Sequence, residues 1–223
     1  MTQTVALPHD PALNQVLSAL SAEGAQALVV GGAVRNALLG EPIADIDIAT
    51  SARPEDTIRL AHAAGLRTVP TGFDHGTVTI IAGGRGFEAT TFRRDVETDG
   101  RHAVVAYSDS LDEDARRRDF TMNALYATAD GRVLDPVGGL SDLAARKLRF
   151  VGDARARILE DYLRILRFFR FLAWYGREAD MQALAACREL RAGLAGISKE
   201  RIGHELRMLL AAPDPSQAVA FMA

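Results

Sequence analysis

Apolar positions recur along the chain in three distinct rhythms. Leu13, Val16, Leu17 and Leu20 follow a helical period within residues 11–22, ending near Gly24, and predict a packing helix. Leu28 to Val30 is a continuous apolar run that halts at Gly31-Gly32. Val34, Leu38 and Leu39 then resume a helical period up to Gly40, a glycine suited to the left-handed C′ position. Strand, glycine turn and helix are therefore predicted in that order. Asp45 to Ala49 alternates strictly, so a second strand would carry both aspartates on one face and both isoleucines on the other. Pro54 suits the first position of a helix that reaches Ala64 and closes at Gly65. Thr77 to Ala82 and Phe87 to Phe92 read as strands joined in a hairpin by Gly83-Gly84-Arg85-Gly86.

The rhythm changes in the second half. Arg93 to Arg118 is highly charged, contains Gly100 and has little periodicity, which predicts a mobile loop. Asp130-Gly131 is a hairpin signal, and Asp135-Pro136-Val137-Gly138-Gly139 breaks the chain before a helix starting near Ser141. Ile158 to Tyr175 is apolar almost all round and predicts one long, largely buried helix. Further helices are expected over Met181 to Arg191, from a Ser198 cap through Leu210, and from Ser216 after Pro213 and Pro215. The last is too short to stand alone and leaves Val219, Phe221 and Met222 without partners, the pattern of a truncated chain. The fold class is a mixed α/β domain over 1–139 followed by an all-α domain over 140–223.

Composition narrows the classes. With 223 residues, 48% of them hydrophobic, the chain can bury a real core, and disorder is not indicated. A formal charge of −3 gives no global basic signature, so a nucleic-acid partner needs a local patch. The single Cys187 excludes an intramolecular disulfide framework, and the five histidines lack zinc spacing. No apolar run approaches the roughly 18 residues of a membrane span, and no secretory pattern opens the chain. A cytoplasmic location is expected.

Five places carry candidate chemistry. Gly31 and Gly32 before a helix N-terminus, with Arg35 in its first turn, would let backbone N–H groups approach a phosphate, although the same dipeptide also makes ordinary turns. Asp45 and Asp47 on one strand face would repel unless a cation lay between them, and a hard ion such as Mg²⁺ takes oxygen ligands while keeping sites for substrate phosphates. An exposed edge strand with outward charges is the plainer alternative. Glu88 could be a solvent-facing strand residue, or an antiparallel neighbour could deliver it to the two aspartates. Asp119 could cap a helix and place Asn123 one turn along the same side. Finally, Asp161, Arg164, Arg167 and Arg170 would wind along about 13 Å of the predicted buried helix. Charges there need partners or a wet cleft, and three arginines exceed the local acids. An Asp161–Arg164 ion pair within the helix is the structural alternative.

Base chemistry gives this stripe a use. The pairing edges of cytosine and adenine each set an amino donor beside a ring-nitrogen acceptor, which a carboxylate and an arginine can read. Uracil and guanine present the opposite pattern and would leave buried polar groups unpaired. Asp161 beside Arg164 would then act as a protein template for C and A.

GGAVRN, LLG and DIDIAT together resemble the signature of the polymerase β-like nucleotidyltransferases, specifically the bacterial class II tRNA nucleotidyltransferase and poly(A) polymerase family. Phe87-Glu88-Ala89-Thr90-Thr91-Phe92-Arg93 resembles its FExTTFR segment, residues 117–124 its RRDFTxNA motif, residues 138–143 its hinge between catalytic head and helical neck, and residues 160–171 its EDxLRxLRxxRF motif. Asn36 and Tyr162 depart from the Asp and Pro usual there. The resemblance implies that Asp45 and Asp47 hold Mg²⁺ and that Glu88 is the third catalytic carboxylate. It implies nucleotide contacts by Gly31, Gly32, Arg35, Arg118, Glu160, Asp161, Arg164, Arg167 and Arg170, and ribose recognition by Asp119 and Asn123. It also implies a switching loop between Arg93 and Arg118. The implied reaction joins C, A or both, from CTP and ATP, to a tRNA 3′ end with release of pyrophosphate. Residues 72–78, GFDHGTV, resemble the CCA-type members more than the poly(A) polymerases. A poly(A) polymerase and a catalytically silent nucleotide-binding module remain the alternatives.

Overall fold

A computed structural model describes residues 3–98 and 103–223. The chain forms two compact units. The first comprises residues 1–96, 105–117 and 123–137, and the second comprises 97–104, 118–122 and 138–223. Residues 118–122 thus join the second unit, although a division at 139/140 places them in the first.

In the first unit, helix α1 (Pro11–Leu20) begins at Asp10, whose Oδ1 accepts the N–H groups of Ala12 and Leu13 at 3.0 and 3.3 Å. Strand β1 (Ala27–Val30), helix α2 (Gly32–Leu39), strand β2 (Asp47–Thr50) and helix α3 (Pro54–Ala63) follow. Then come β3 (Arg67–Gly72), β4 (Thr77–Ala82) and β5 (Arg85–Thr91). A second short hairpin, β8 (Tyr126–Ala127) and β9 (Val133–Leu134), completes a seven-stranded mixed sheet in the order β3-β4-β5-β2-β1-β8-β9. On β5 the alternation is visible directly: Phe87, Ala89 and Thr91 are buried while Gly86 and Glu88 are exposed. The buried face packs with α1 and α3 around Leu13, Val16, Val78 and Ile80. Gly83 and Gly84 have φ of 56° and 77°, the two left-handed residues that a tight hairpin turn requires.

The loop expected over Arg93 to Arg118 is largely ordered structure. Strands β6 (Arg93–Thr98) and β7 (Ala103–Tyr107) form a two-stranded ribbon, and α4 (Leu111–Arg116) follows under a Ser110 cap. Gly100 lies outside the described residues. Charge obscured the helix, whose Asp114 is buried and accepts hydrogen bonds from Tyr126 Oη at 2.8 Å and Arg117 Nε at 3.0 Å.

The second unit is helical: α5 (Gly139–Ala144), α6 (Ala154–Glu160), α7 (Arg164–Tyr175), α8 (Met181–Leu190), α9 (Lys199–Leu210) and α10 (Ser216–Met222), with short strands β10 (Lys147–Leu148) and β11 (Glu178–Ala179). Its core stacks Phe150 on Phe168 at 5.6 Å, with Phe120 4.9 Å from Phe150 and 5.2 Å from Phe171. The single helix expected from Ile158 to Tyr175 is broken. Asp161 is extended, with φ −155° and ψ 106°, and its Oδ1 accepts the Leu163 N–H at 3.1 Å, a side-chain turn that competes with the helical bond.

Candidate active site

Gly31 ends β1 with φ 68°, a conformation that favours glycine, and its N–H donates to Leu125 O at 3.0 Å. That N–H is therefore committed. The first-turn N–H groups of α2, from Gly32 to Val34, have no acceptor within the helix and face outward from its positive end. Arg35 is buried, and its Nε and Nη2 donate to Asn36 Oδ1 at 3.1 and 2.9 Å while Nη1 donates to Asn123 Oδ1. Asn36 Nδ2 in turn donates to Pro42 O at 2.7 Å. The amide thus keeps the acceptor that Arg35 needs and adds a donor that no carboxylate could supply.

Strand β2 begins at Asp47, so Asp45 lies just before it and the two aspartates do not share one strand as the alternation suggested. Strands β2 and β5 are parallel, not antiparallel, and their register sets Asp47 beside Glu88. Both are exposed, as is Asp45. The three carboxylates line one cleft of about 400 Å³ together with Ala44, Ile46 and Phe87. Among the described residues no group of three or more His, Cys, Asp or Glu side chains is close enough to hold a metal by itself. The cleft offers carboxylate oxygens only, the donor type that a hard ion such as Mg²⁺ takes.

In the second unit Asp119 does not cap an α-helix, because residues 121–123 make only a 3-10 turn. Its Oδ1 accepts the Phe120 N–H at 2.8 Å, and its Oδ2 accepts from Arg167 Nε and Nη2 at 3.0 and 2.6 Å. Arg118 is half-buried in the same segment. Asn123 belongs instead to the first unit with Arg35.

The arginines are not short of acids. Arg164 pairs with Glu160, which also holds Arg157, and Arg170 Nε donates to Glu205 Oε2 at 2.6 Å. Glu205, from α9, lies 3.7 Å from Arg167 Nη1 and is buried. Burial works against the charge on Arg167, but Asp119, with Glu205 and Asp161, outweighs it and raises the guanidinium pKa above the ordinary arginine value. Asp161 pairs through Oδ2 with Arg201 Nη2 at 2.7 Å. Glu205 and Arg201 were missed in the sequence because they sit 35 and 40 residues from the side chains they neutralise. The helical period of Ile202, Glu205 and Leu209 was their one signal, a glutamate on an apolar face.

A mixed sheet with a glycine turn, a short helix and a carboxylate-bearing strand end defines the polymerase β-like nucleotidyltransferase fold. Residues 27–149 match the poly A polymerase head domain, and the chain belongs to that family. It is 47% identical over 189 residues to the mitochondrial CCA tRNA nucleotidyltransferase 1 of Danio rerio, covering 82% of this chain and 43% of that protein. It is 41% identical to a CCA-adding enzyme of Geobacillus, over 96% of this chain and 52% of the relative. The solved structure of the Bacillus stearothermophilus CCA-adding enzyme in complex with CTP superposes with a TM-score of 0.87 at 38% identity, over 96% of this chain and 52% of that one. The chain spans about half the length of these relatives. Among the described residues no helix is long and apolar enough to cross a membrane.

Proposed function

We propose that the chain is the nucleotide-selecting and catalytic portion of a template-independent RNA nucleotidyltransferase that adds C, A or both to a tRNA 3′ end, using CTP and ATP and releasing pyrophosphate. Residues 1–139 serve as its head and 140–223 as its neck. The observation that carries this reading is the register of Asp47 against Glu88, with Asp45 on the same cleft. The similarity to CCA-adding enzymes, one of them solved with CTP, supports the choice of substrates.

Asp45 and Asp47 would hold Mg²⁺, which when bound supplies charge neutralisation on the triphosphate and on the attacking oxygen. Glu88 completes the acceptor set for the 3′-hydroxyl. The first turn of α2 and Arg35 orient the phosphates, and Arg35 is held for this by two neutral amides, Asn36 and Asn123. Asp119, Asn123 and Arg118 recognise the ribose and nucleotide. Asp161 has two lone-pair positions engaged by Leu163 N–H and Arg201, which leaves acceptor capacity for an exocyclic amino group. Arg164, steadied by Glu160, donates to the ring nitrogen, while Arg167 and Arg170 line the approach. Cys187, buried and unpaired, suits a reducing compartment such as the cytoplasm.

A tRNA minihelix lacking its CCA end, incubated with CTP, ATP and Mg²⁺, tests this directly. Stepwise gain of C or A supports the reading. A long A tail made without CTP would favour a poly(A) polymerase, and nucleotide binding without extension would favour a silent module.

A further inference from the structure

The break between α6 and α7 is where Asp161 and Arg164 are presented, and something must fix its geometry. Proline, with its locked φ, could do so at position 162, but this chain has Tyr162. The Tyr162 ring lies directly on the bare backbone of Gly193, in the 3-10 turn Arg191–Gly196, so closely that a Cβ added there would clash with the ring's Cδ1, Cε1 and Cγ. The Tyr162 hydroxyl has no hydrogen-bond partner among the described residues, so the contact is one of shape. Tyr162 O accepts the Ile165 N–H at 3.1 Å and Asp161 O accepts the Arg164 N–H at 2.9 Å, starting α7 from these two residues. The same stretch supplies the second anchor, because Ser198 caps α9 and Arg201, in the first turn, holds Asp161.

We propose that Tyr162 and Gly193 form a positioning pair that sets base selectivity by fixing the spacing between Asp161 and Arg164. The ring wedges the break open at a defined angle, and glycine at 193 is what lets it sit there. Neither residue touches the base. The inference rests on the reading of Asp161 and Arg164 as the template, and it concerns how this chain presents them. An aspartate displaced by a fraction of a hydrogen-bond length loses the directional part of its contact with an amino donor, while its charge still acts on any nucleotide. Selectivity should therefore fall further than affinity for CTP.

The test measures equilibrium binding of CTP and UTP in Mg²⁺ to the chain and to its variants, with circular dichroism to confirm folding. Gly193→Ala should narrow the CTP to UTP preference by roughly five- to tenfold, the scale of one hydrogen bond. Tyr162→Ala should narrow it similarly without introducing any clash, so it covers the case in which Gly193→Ala does not fold. In the Tyr162→Ala/Gly193→Ala pair the losses should not add, since the ring that the new methyl group would displace is already absent. Tyr162→Phe keeps the ring and should behave as wild type. A loss of preference in Tyr162→Phe would assign the effect to the hydroxyl and overturn the proposal, as would an unchanged preference in Tyr162→Ala. Asp161→Ala separates the two levels: if it leaves UTP excluded, the template reading fails. If it admits UTP while Tyr162→Ala does not, only the positioning pair fails.

Discussion

The strand end of the first unit and the arginine helix of the second both gather charge, and they handle it in opposite ways. At the end of β2 and β5, Asp45, Asp47 and Glu88 are exposed to a cleft, and the side chains of Asp45 and Glu88 form no hydrogen bond or ion pair within the protein among the described residues. Along α7 each arginine has an acid: Glu160 for Arg164, Asp119 for Arg167, Glu205 for Arg170. The first arrangement leaves carboxylates open to the cleft, where the proposed function would place a cation. The second is already neutralised by the protein itself, so on the proposed reading a nucleotide would join an existing network and fit its geometry. Under the proposed function the open site would supply chemistry and the closed one discrimination.

The largest effect should come from breaking the open site. Asp47→Ala should lower extension of a tRNA minihelix by roughly a thousandfold or more, the scale of several kcal/mol of charge stabilisation. Its fold should persist, because removing one of several clustered exposed carboxylates relieves repulsion in the absence of metal. Turnover close to wild type in a folded Asp47→Ala protein would remove Asp47 from the reaction. Loss of fold would show that the strand end is structural, like its helical counterpart.

The closed site predicts the reverse pattern. Glu205→Ala should destabilise the protein by about 2 to 3 kcal/mol, because it strips the acid from Arg170 and weakens the hold on Arg167. The cost stays below that of a fully buried pair, since the two arginine side chains keep 16% and 32% exposure. Urea denaturation gives the value, and Glu205→Gln should recover part of it. Equal stability of wild type and Glu205→Ala would mean that the arginines are neutralised without α9.

These two regions were unequally legible in the sequence. The strand, glycine turn and helix at residues 27–40 follow from local pattern, as does the hairpin at Gly83-Gly84, because neighbours in sequence determine them. The partner of Glu88 did not, since a parallel β2–β5 pairing passes through α3, β3 and β4 and leaves no local trace. Nor did the break at Asp161. Apolar periodicity runs straight across it, and what ends α6 is a side-chain turn together with a contact to Gly193, 31 residues beyond Tyr162. The surplus of arginines over acids was an artefact of looking along one helix, when Asp119 and Glu205 come from other segments.

Asp161→Ala sharpens the comparison at intermediate scale. Losing a charge-assisted hydrogen bond to the base costs about 1.5 to 3 kcal/mol, so the preference for CTP over UTP should narrow roughly ten- to a hundredfold. Mg²⁺ dependence should stay unchanged, because Asp45 and Asp47 are untouched. Equal loss of every nucleotide would assign Asp161 to structure through its pair with Arg201. Undiminished CTP turnover with UTP and GTP still excluded would put the template elsewhere.

The smallest effect tests whether the helical unit excludes uncompensated charge in general. Cys187, buried in α8, is its one thiol, and burial pushes its pKa from 9.0 up to about 12. In the unfolded chain the thiol ionises near 9, so between about pH 9 and 12 the unfolded state holds fewer protons than the folded one. Stability must then fall as pH rises through that window, and the contribution is absent below it. Between pH 9 and 10 the loss should be about 1 kcal/mol. Other groups titrate there too, so the measurement is a difference: urea denaturation of wild type and Cys187→Ala at pH 8 and 10. Wild type should lose more stability than the variant on going to pH 10, and native Cys187 should react slowly with iodoacetamide at pH 8. Parallel losses in the two proteins, or rapid alkylation of the folded chain, would show that this interior admits charge and water, and the contrast with the open strand end would then be one of degree.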